Sequence, residues 1–226
     1  MRDLLNNRLL VIAGGIFFLA LIVRVLLFAL DYHAHEYNLE RTIHGDAGYD
    51  EITAGILAGH GFSGYPDPPH DPNPLRTPLY PYFAAFILSI TNSYFAVIGI
   101  QMLIASASAV LAFFIGRKLL SSDVWGGVVG IFMALEPYHV QFSFIFYTET
   151  MFVFAFLFFT WWFLRYLEEP TLPHAALAGI LLGAATLTKT TVQFLPILLG
   201  AFLLWHFRKK IKIGVASKEQ WKNPKI

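Results

Sequence analysis

Six long apolar runs constrain the fold of this chain more than any other feature. The longest have about 20 residues, the length that a helix needs to cross a bilayer. Hydrophobic residues make up 56% of the 226 residues and charged residues 14%, whereas a soluble domain has about 25% charged residues. The sequence therefore predicts an all-α integral membrane protein with about six transmembrane helices. We place the predicted spans at 9–30, 94–115, 124–144, 148–165, 174–187 and 192–207.

The first span is expected to be retained, because no small-residue cleavage site follows it as in a signal peptide. The chain contains no cysteine, which excludes disulfides, thiolate metal sites and a cysteine nucleophile. Residues 1–207 are expected to form one transmembrane core. The segment 208–226 is then a basic cytoplasmic tail lying on anionic lipid.

The basic residues divide unequally between the two sides of this arrangement. Twelve fall on one side, and only Arg41, Arg76 and Lys189 fall on the other. Because cytoplasmic loops carry the excess of Lys and Arg, we expect both termini in the cytoplasm of a multi-pass cell-membrane protein. The loop 31–78 is then external or periplasmic. Arg24 lies inside the first span near its end, from where its guanidinium can snorkel outward or contact a phosphate.

The external loop 31–78 holds eight acidic residues and many prolines. Its proline-rich run 65–74 predicts an extended strap, because proline lacks the backbone donor and has a fixed φ. The following run 79–92 is closed by Thr91-Asn92-Ser93 and is too short to span, so it predicts an interfacial helix. Pro81 falls in the first turn of that helix, where proline is tolerated.

The stretch from Gly45 to Phe62 predicts a second short interfacial helix. Asp46 is expected to be its N-cap, and Gly59 and Gly61 are expected to end it. Such a helix suits a membrane interface where a lipid-linked substrate lies across it. Its predicted apolar stripe comprises Tyr49, Ile52, Ile56 and Leu57, and its predicted polar edge comprises Asp46, Asp50 and Thr53.

Several short motifs occur in an order that resembles the GT-C glycosyltransferases. They are Gly45-Asp46-Ala47-Gly48-Tyr49-Asp50, Gly59-His60-Gly61-Phe62, Arg76-Thr77-Pro78-Leu79-Tyr80-Pro81, Thr148-Glu149 and a small-residue run ending in Thr188-Lys189. Within that superfamily the chain is similar to the dolichyl-phosphate-mannose protein mannosyltransferase-like group, which includes bacterial aminoarabinose and galacturonic acid transferases. The resemblance covers roughly residues 8–206. Arginine is common in the family at the position of Lys189.

The resemblance implies transfer of a sugar from a polyprenyl-phosphate donor, with inversion, to a lipid, glycan or protein acceptor on the external side. Such a transfer needs one base for the acceptor hydroxyl and positive charge for the departing phosphate. Asp46 matches the family's catalytic aspartate after the first span and is expected to be the general base, with helix capping alone as its alternative. The chemistry requires no cofactor.

Arg76 and Lys189 are expected to bind the donor phosphate, Arg76 through a bidentate fork and Lys189 as a point charge. Arg24 is a third candidate for this role. For Arg76 and Lys189 the alternative is anchoring to lipid headgroups. Glu149 is expected either to orient a sugar or to cap a helix, and Asp50 either to position substrate or to belong to a solvated face. The other substrate-positioning candidates are Tyr49 and Tyr80.

The histidines of the loop leave open the alternative that the protein binds a divalent cation. His33, His35 and His44, together with Glu36, are close enough in sequence to converge on one ion. Their spacing does not match a recognised metal site, so the interpretation as ordinary loop histidines is preferred.

Two other classes of protein remain open. A transporter or channel subunit also has about six spans, but transporters place ionisable groups at mid-membrane, whereas nearly every charge here lies near a rim. Family members usually have more spans than this chain. We therefore also consider an inactive remnant that binds lipid or a partner, or a shortened enzyme whose missing spans come from a partner chain.

Overall fold

The structure is a computed structural model that describes residues 7–45, 48–65, 67–206 and 208. In these residues all regular secondary structure is helical and there is no strand. Three helices in the described part of the chain are long and apolar enough to cross a membrane. The prediction of an all-α membrane protein is therefore confirmed.

The chain divides into two compact units, Met1–Lys189 and Thr190–Ile226. The first contains α1 (Asn7–Ala34), α2 (Leu39–Ile43), α3 (Tyr49–Leu57), α4 (Leu79–Thr91), α5 (Tyr94–Leu120), α6 (Asp123–Leu135), α7 (Pro137–Gln141), α8 (Glu149–Glu168) and α9 (Leu172–Thr188). The second contains the apolar helix α10 (Thr190–His206). Residues 209–226, most of the expected basic tail, lie outside the described part of the chain.

The three helices with membrane-spanning length are α1, α5 and α8. The other expected spans appear as the shorter apolar helices α6, α9 and α10. The run 124–144 is divided because Pro137 cannot continue α6. Glu136 ends α6 and caps α7, with its carboxylate accepting from the backbone N–H groups of Tyr138 at 3.2 Å and His139 at 2.6 Å.

Helix α5 is the centre of the first unit and packs against α1, α4, α6 and α8. One apolar cluster joins α1, α5 and α6 around Ala20, Phe113 and Ala134. A second cluster joins α3, α4 and α5 to the segment 140–147, around Tyr80 and Phe146. The second cluster anchors the loop 31–78, because Ile43 and Tyr49 of that loop belong to it.

The first and last residues of α8 are acidic, and each pairs with a lysine from another part of the chain. Glu149, the first residue of α8, pairs with Lys189, and Glu168, the last, pairs with Lys118. A helix of this length spans roughly 30 Å. Lys118 and Arg165, both expected on the cytoplasmic side, lie over the ring of Trp161 at 5.7 and 5.0 Å. The cations expected on opposite sides of a membrane thus lie at opposite ends of α8.

Arg24 does not snorkel outward, and that expectation is wrong. Its side chain is wholly buried, and Nη1 donates to the carbonyls of Ala20 at 2.9 Å and Ala134 at 3.1 Å. Ala134 lies at the end of α6, where carbonyls lack intrahelical partners and a cation is favourable. Arg24 therefore joins α1 to the break between α6 and α7. Its predicted contact with a donor phosphate stays a prediction.

Helix α3 begins later than expected. Its N-cap is Gly48, in the left-handed conformation with φ of 69°, rather than Asp46, which lies outside the described residues. Thr53, expected on the polar edge, is buried, and its hydroxyl donates to the Tyr49 carbonyl at 2.6 Å. Leu57, expected on the apolar stripe, is 45% exposed.

Other expectations for the external loop agree with the structure. Gly59 and Gly61 follow α3 with φ of 81° and 74°, as a helix end requires. The expected interfacial helix at 79–92 is α4. The described residues between 65 and 78 form neither a regular helix nor a strand. The short helix α2 was not anticipated.

Candidate functional site

Three tyrosines form the centre of the candidate site, where the loop 31–78 meets the ends of several helices. The ring of Tyr49 lies edge-on to those of Tyr80 and Tyr147, with centroids 5.5 and 6.2 Å away. The guanidinium carbon of Arg76 lies 5.6 Å from the centroid of Tyr49, within the range of a cation–π contact. Tyr49, Tyr80 and Arg76, which were singled out separately in the sequence, therefore belong to one cluster.

Tyr80 is wholly buried and supports this cluster from below. Its hydroxyl donates to Oε1 of Gln101 at 2.7 Å, and Nε2 of Gln101 donates to the carbonyl of Ile145 at 3.1 Å. Burial, followed by the negative charge of Asp50, raises the pKa of the Tyr80 hydroxyl well above its usual value. The hydroxyl is therefore a neutral donor that ties α4 to α5 and to the segment before α8.

A hydrogen bond joins the two chain segments that carry the cations expected at a donor phosphate. The hydroxyl of Thr77, next to Arg76, donates to the carbonyl of Thr188, next to Lys189, at 2.6 Å. The ammonium of Lys189 lies 2.6 Å from Oε1 of Glu149. Glu149 thus faces Lys189 from the first turn of α8. The fold places a fixed carboxylate and two cations beside the tyrosine cluster.

A histidine–aspartate pair adjoins the cluster on the other side. Nδ1 of His44 lies 3.0 Å from Oδ2 of Asp50. Burial favours the protonated form of Asp50, but hydrogen bonding with Glu51 and His44 holds the pKa of Asp50 below its usual value. The hydrogen bond with Asp50, followed by burial, raises the pKa of Glu51. Asp50 is therefore the group of the two that loses its proton first as the pH rises.

Asp46 lies outside the described residues, and its role as general base stays a prediction. Gly45, directly before it in the chain, is packed against the segment 146–147. A Cβ added to Gly45 would lie 2.6 Å from the Phe146 carbonyl oxygen and 2.7 Å from the ring of Tyr147. The Phe146 N–H also donates to the carbonyl of Ile43 at 2.8 Å. The chain that leads to Asp46 is thus fixed against the tyrosine cluster.

Gly45→Ala is expected to lower both stability and transfer activity. The added methyl group meets a backbone oxygen that cannot rotate away, and overpacking of this kind costs about 1–3 kcal/mol. Thermal unfolding in detergent and sugar-transfer rates would measure the two effects. Gly183→Ala in α9 is the matched control, because a Cβ there meets nothing within 4 Å. Equal behaviour of the two variants would contradict the close packing at Gly45.

A cavity of about 740 Å³ opens beside Gly45, between the end of α1, α2 and the segment 137–147. One part of its lining is polar and includes Asp31 and Arg41, and another is apolar and includes Leu27 and Leu30. A second cavity of about 370 Å³ lies between α2, Asp50 and Phe146. His44 lines both. The larger cavity suits a ligand with both apolar and polar parts.

The three histidines considered as metal ligands have separate partners. The His33 ring packs edge-on against Tyr37, with centroids 5.2 Å apart, and Nδ1 of His35 lies 2.9 Å from the Asp31 carbonyl oxygen. His44 faces Asp50. Within the described part of the chain, no group of three or more His, Asp or Glu side chains could hold a metal ion.

Three contributors to the site were missed in the sequence. Tyr147 directly precedes the Thr148-Glu149 motif, and Thr77 lies inside the motif that contains Arg76. Gln101 is an amide within an otherwise apolar span, and buried amides require hydrogen-bond partners. The need of a buried amide for a partner could therefore have identified Gln101 from the sequence, but only the fold shows that the partner is Tyr80.

The chain was compared with known protein families. A family model described as dolichyl-phosphate-mannose-protein mannosyltransferase matches residues 73–217. The matched region is more than half of the chain and contains Arg76, Glu149 and Lys189, whereas Asp46 precedes it. Comparisons with the curated proteins and with the solved structures gave no match.

Proposed function

The chain belongs to the dolichyl-phosphate-mannose-protein mannosyltransferase family, and from this premise we propose that it transfers a sugar from a polyprenyl-phosphate donor to an acceptor. Family membership supports a membrane glycosyltransferase of the GT-C type rather than a transporter or channel subunit. The observation that supports the finer proposal is the hydrogen bond from Thr77 to Thr188, which joins the chain segments that carry Arg76 and Lys189.

The donor phosphate binds between these two cations. The guanidinium of Arg76 forms no ion pair among the described residues and lies over the face of Tyr49. It therefore retains donors for phosphate oxygens in the bidentate geometry that arginine favours. Lys189 adds a second positive charge and is oriented by Glu149. Both positive charges stabilise the negative charge that develops on the departing phosphate. This stabilisation lowers the activation barrier of the transfer.

The sugar lies beside Glu149 and the tyrosine cluster, and the acceptor approaches through the 740 Å³ cavity that Gly45 and Tyr147 line. Asp46, which follows Gly45 in the chain, accepts the proton of the acceptor hydroxyl. Attack by that oxygen on the face opposite the phosphate inverts the anomeric carbon. The acceptor is a lipid, a glycan or a protein hydroxyl, and the reaction needs no cofactor.

The active site lies on the external or periplasmic side of the cell membrane. The support is the separation of cations along α8, with Lys118 and Arg165 at the end opposite Lys189. Because basic residues concentrate on the cytoplasmic side, the end with Lys118 is cytoplasmic and the tyrosine cluster is external.

A donor comparison tests the proposal. Purified protein in lipid vesicles is expected to transfer labelled mannose from dolichyl-phosphate mannose, or the corresponding label from other polyprenyl-phosphate sugars, to acceptors in an added membrane extract. Nucleotide sugars carrying the same labels serve as matched controls, because they lack the polyprenyl chain and carry a diphosphate. Transfer from the nucleotide sugars, with none from any polyprenyl-phosphate donor, would overturn the proposal.

A further inference from the structure

We propose that Asn73 is a positioning residue that holds Arg76 in place for the donor phosphate. The side-chain oxygen Oδ1 of Asn73 accepts from the backbone N–H groups of Leu75 at 3.0 Å and Arg76 at 3.1 Å. These two bonds close a short turn, because an asparagine oxygen can replace a backbone carbonyl as the acceptor in a turn. This inference rests on the proposed function, in which Arg76 binds the phosphate of the donor.

The backbone at Arg76 is exposed and lies outside regular secondary structure. Leu75 is 82% exposed, Arg76 is also exposed, and residues 73–76 belong to neither a helix nor a strand. A segment with few buried apolar contacts opens easily, so its hydrogen bonds contribute much of what fixes its shape. The two bonds to Oδ1 of Asn73 are therefore expected to determine how the backbone of Arg76 is presented.

Asn73 is itself attached to the motif 59–62, which follows α3. The backbone N–H of Asn73 donates to the carbonyl of Phe62 at 2.8 Å. Three residues earlier, the ring of His70 stacks on the ring of His60, with centroids 3.7 Å apart and planes 9° apart. The motif was noted in the sequence without a role in the transfer. Its place in the fold gives it one, because it holds the segment that leads to the donor-binding arginine.

The chain directly after Arg76 is fixed as well, because the hydroxyl of Thr77 donates to the carbonyl of Thr188 at 2.6 Å. Arg76 therefore lies between two restraints, Asn73 before it and Thr188 after it. Between them the guanidinium carbon lies 5.6 Å from the ring centroid of Tyr49. A misplacement of about 1 Å at a reacting group can reduce a rate by about 100-fold. Asn73 acts through Arg76, because its oxygen already accepts from two backbone donors.

Two substitutions separate the acceptor oxygen from the rest of the side chain. Asn73→Ala removes the oxygen, whereas Asn73→Ser keeps an uncharged acceptor that caps backbone N–H groups nearly as well. We expect Asn73→Ala to raise the Kd for dolichyl phosphate about 3- to 10-fold, as loss of a side-chain cap would, and Asn73→Ser to stay within about twofold of wild type. The kcat/KM for mannose transfer from dolichyl-phosphate mannose should fall by the same factor in Asn73→Ala.

Asn38→Ala is the matched control. Oδ1 of Asn38 accepts from the backbone N–H of Arg41 at 3.1 Å. This substitution therefore removes a bond of the same kind and length, at the same spacing, from another arginine of the loop 31–78. It should leave the affinity for dolichyl phosphate unchanged, because Arg41 has no part in the proposed phosphate site. Thermal unfolding in detergent would confirm that each variant is folded.

A double-mutant cycle shows whether Asn73 acts through Arg76. In the Arg76→Gln background, Asn73→Ala is expected to cause no further loss of affinity, because the guanidinium that the turn positions is already gone. A further loss by the same factor, or equally weak binding by Asn73→Ala and Asn73→Ser, would overturn the positioning role. So would wild-type affinity of Asn73→Ala when Arg76→Gln binds weakly. Wild-type affinity of Arg76→Gln would instead overturn the proposed donor site, and the role of Asn73 with it.

Hydrogen exchange reports on the turn without requiring lipid or turnover. In the segment 72–78 only Asn73, Leu75, Arg76 and Thr77 have a backbone N–H, because the other three residues are prolines. We expect the N–H groups of Leu75 and Arg76 to exchange faster in Asn73→Ala than in the wild type, and at the wild-type rate in Asn73→Ser. Equal exchange in the wild type and Asn73→Ala would overturn the inference, because Oδ1 would then not hold these two groups in solution.

Discussion

Asp46→Asn is expected to reduce kcat for sugar transfer by about 100- to 10,000-fold, the contribution of a general base. Asparagine has nearly the same size as aspartate and still forms hydrogen bonds, but its amide cannot take the proton of the acceptor hydroxyl. In the proposed site Arg76 and Lys189 hold the donor phosphate, so donor affinity should not change. Initial rates at saturating dolichyl-phosphate mannose, together with direct donor binding, would measure both quantities.

The control for this substitution is Asp67→Asn. Asp67 lies in the same loop, 31–78, but in the proline-rich run 65–74, where its side chain is exposed, and the same loss of charge there should leave kcat unchanged. Undiminished transfer by Asp46→Asn would exclude Asp46 as the base. Loss of donor binding with unchanged kcat would instead assign the carboxylate to the donor site.

The sequence predicts the helices of this protein well, because lipid strongly constrains the segments that cross it. Each of the six apolar runs contains a helix, and α1, α5 and α8 have the length that a bilayer requires. The division of the run 124–144 follows from Pro137, whose effect is local. The orientation of Arg24 could not be predicted in this way. It depends on the Ala134 carbonyl, 110 residues away in sequence.

In the candidate site, too, residues within short motifs could be identified from the sequence, whereas contacts between segments far apart in the sequence could not. Arg76, Lys189 and Glu149 were identified from short motifs, but nothing in those motifs indicates that Thr77 donates to Thr188 or that Lys189 pairs with Glu149. These contacts join segments brought together by the packing of α4, α8 and α9. The partner of His44 was also missed, because Asp50 was considered only as a surface or substrate-positioning group.

Loss of positive charge at the phosphate site is expected to have the second large effect. A hydrogen bond to a charged group contributes about 1.5–3 kcal/mol, so Arg76→Gln should weaken donor binding by about 10- to 100-fold. It should also lower kcat, because the charge on the departing phosphate grows in the transition state. Lys189→Gln should have a similar effect and also leaves Glu149 without its counter-ion. The double variant is not expected to be additive, since the two cations act on one phosphate.

Lys189→Arg is the matched control, because it keeps the charge and places at this position the residue that is common in the family. It should retain both donor binding and turnover. Arg165→Gln, at the opposite end of α8, removes one positive charge from the protein without touching the site. Salt screens the electrostatic part of the binding free energy. Measuring the affinity for dolichyl phosphate at several salt concentrations would therefore show whether Arg76 and Lys189 supply that part. If Arg76→Gln and Lys189→Gln bind the lipid phosphate as tightly as Arg165→Gln does, the phosphate must lie elsewhere, and the pairing of Lys189 with Glu149 would then serve only to join α9 to α8.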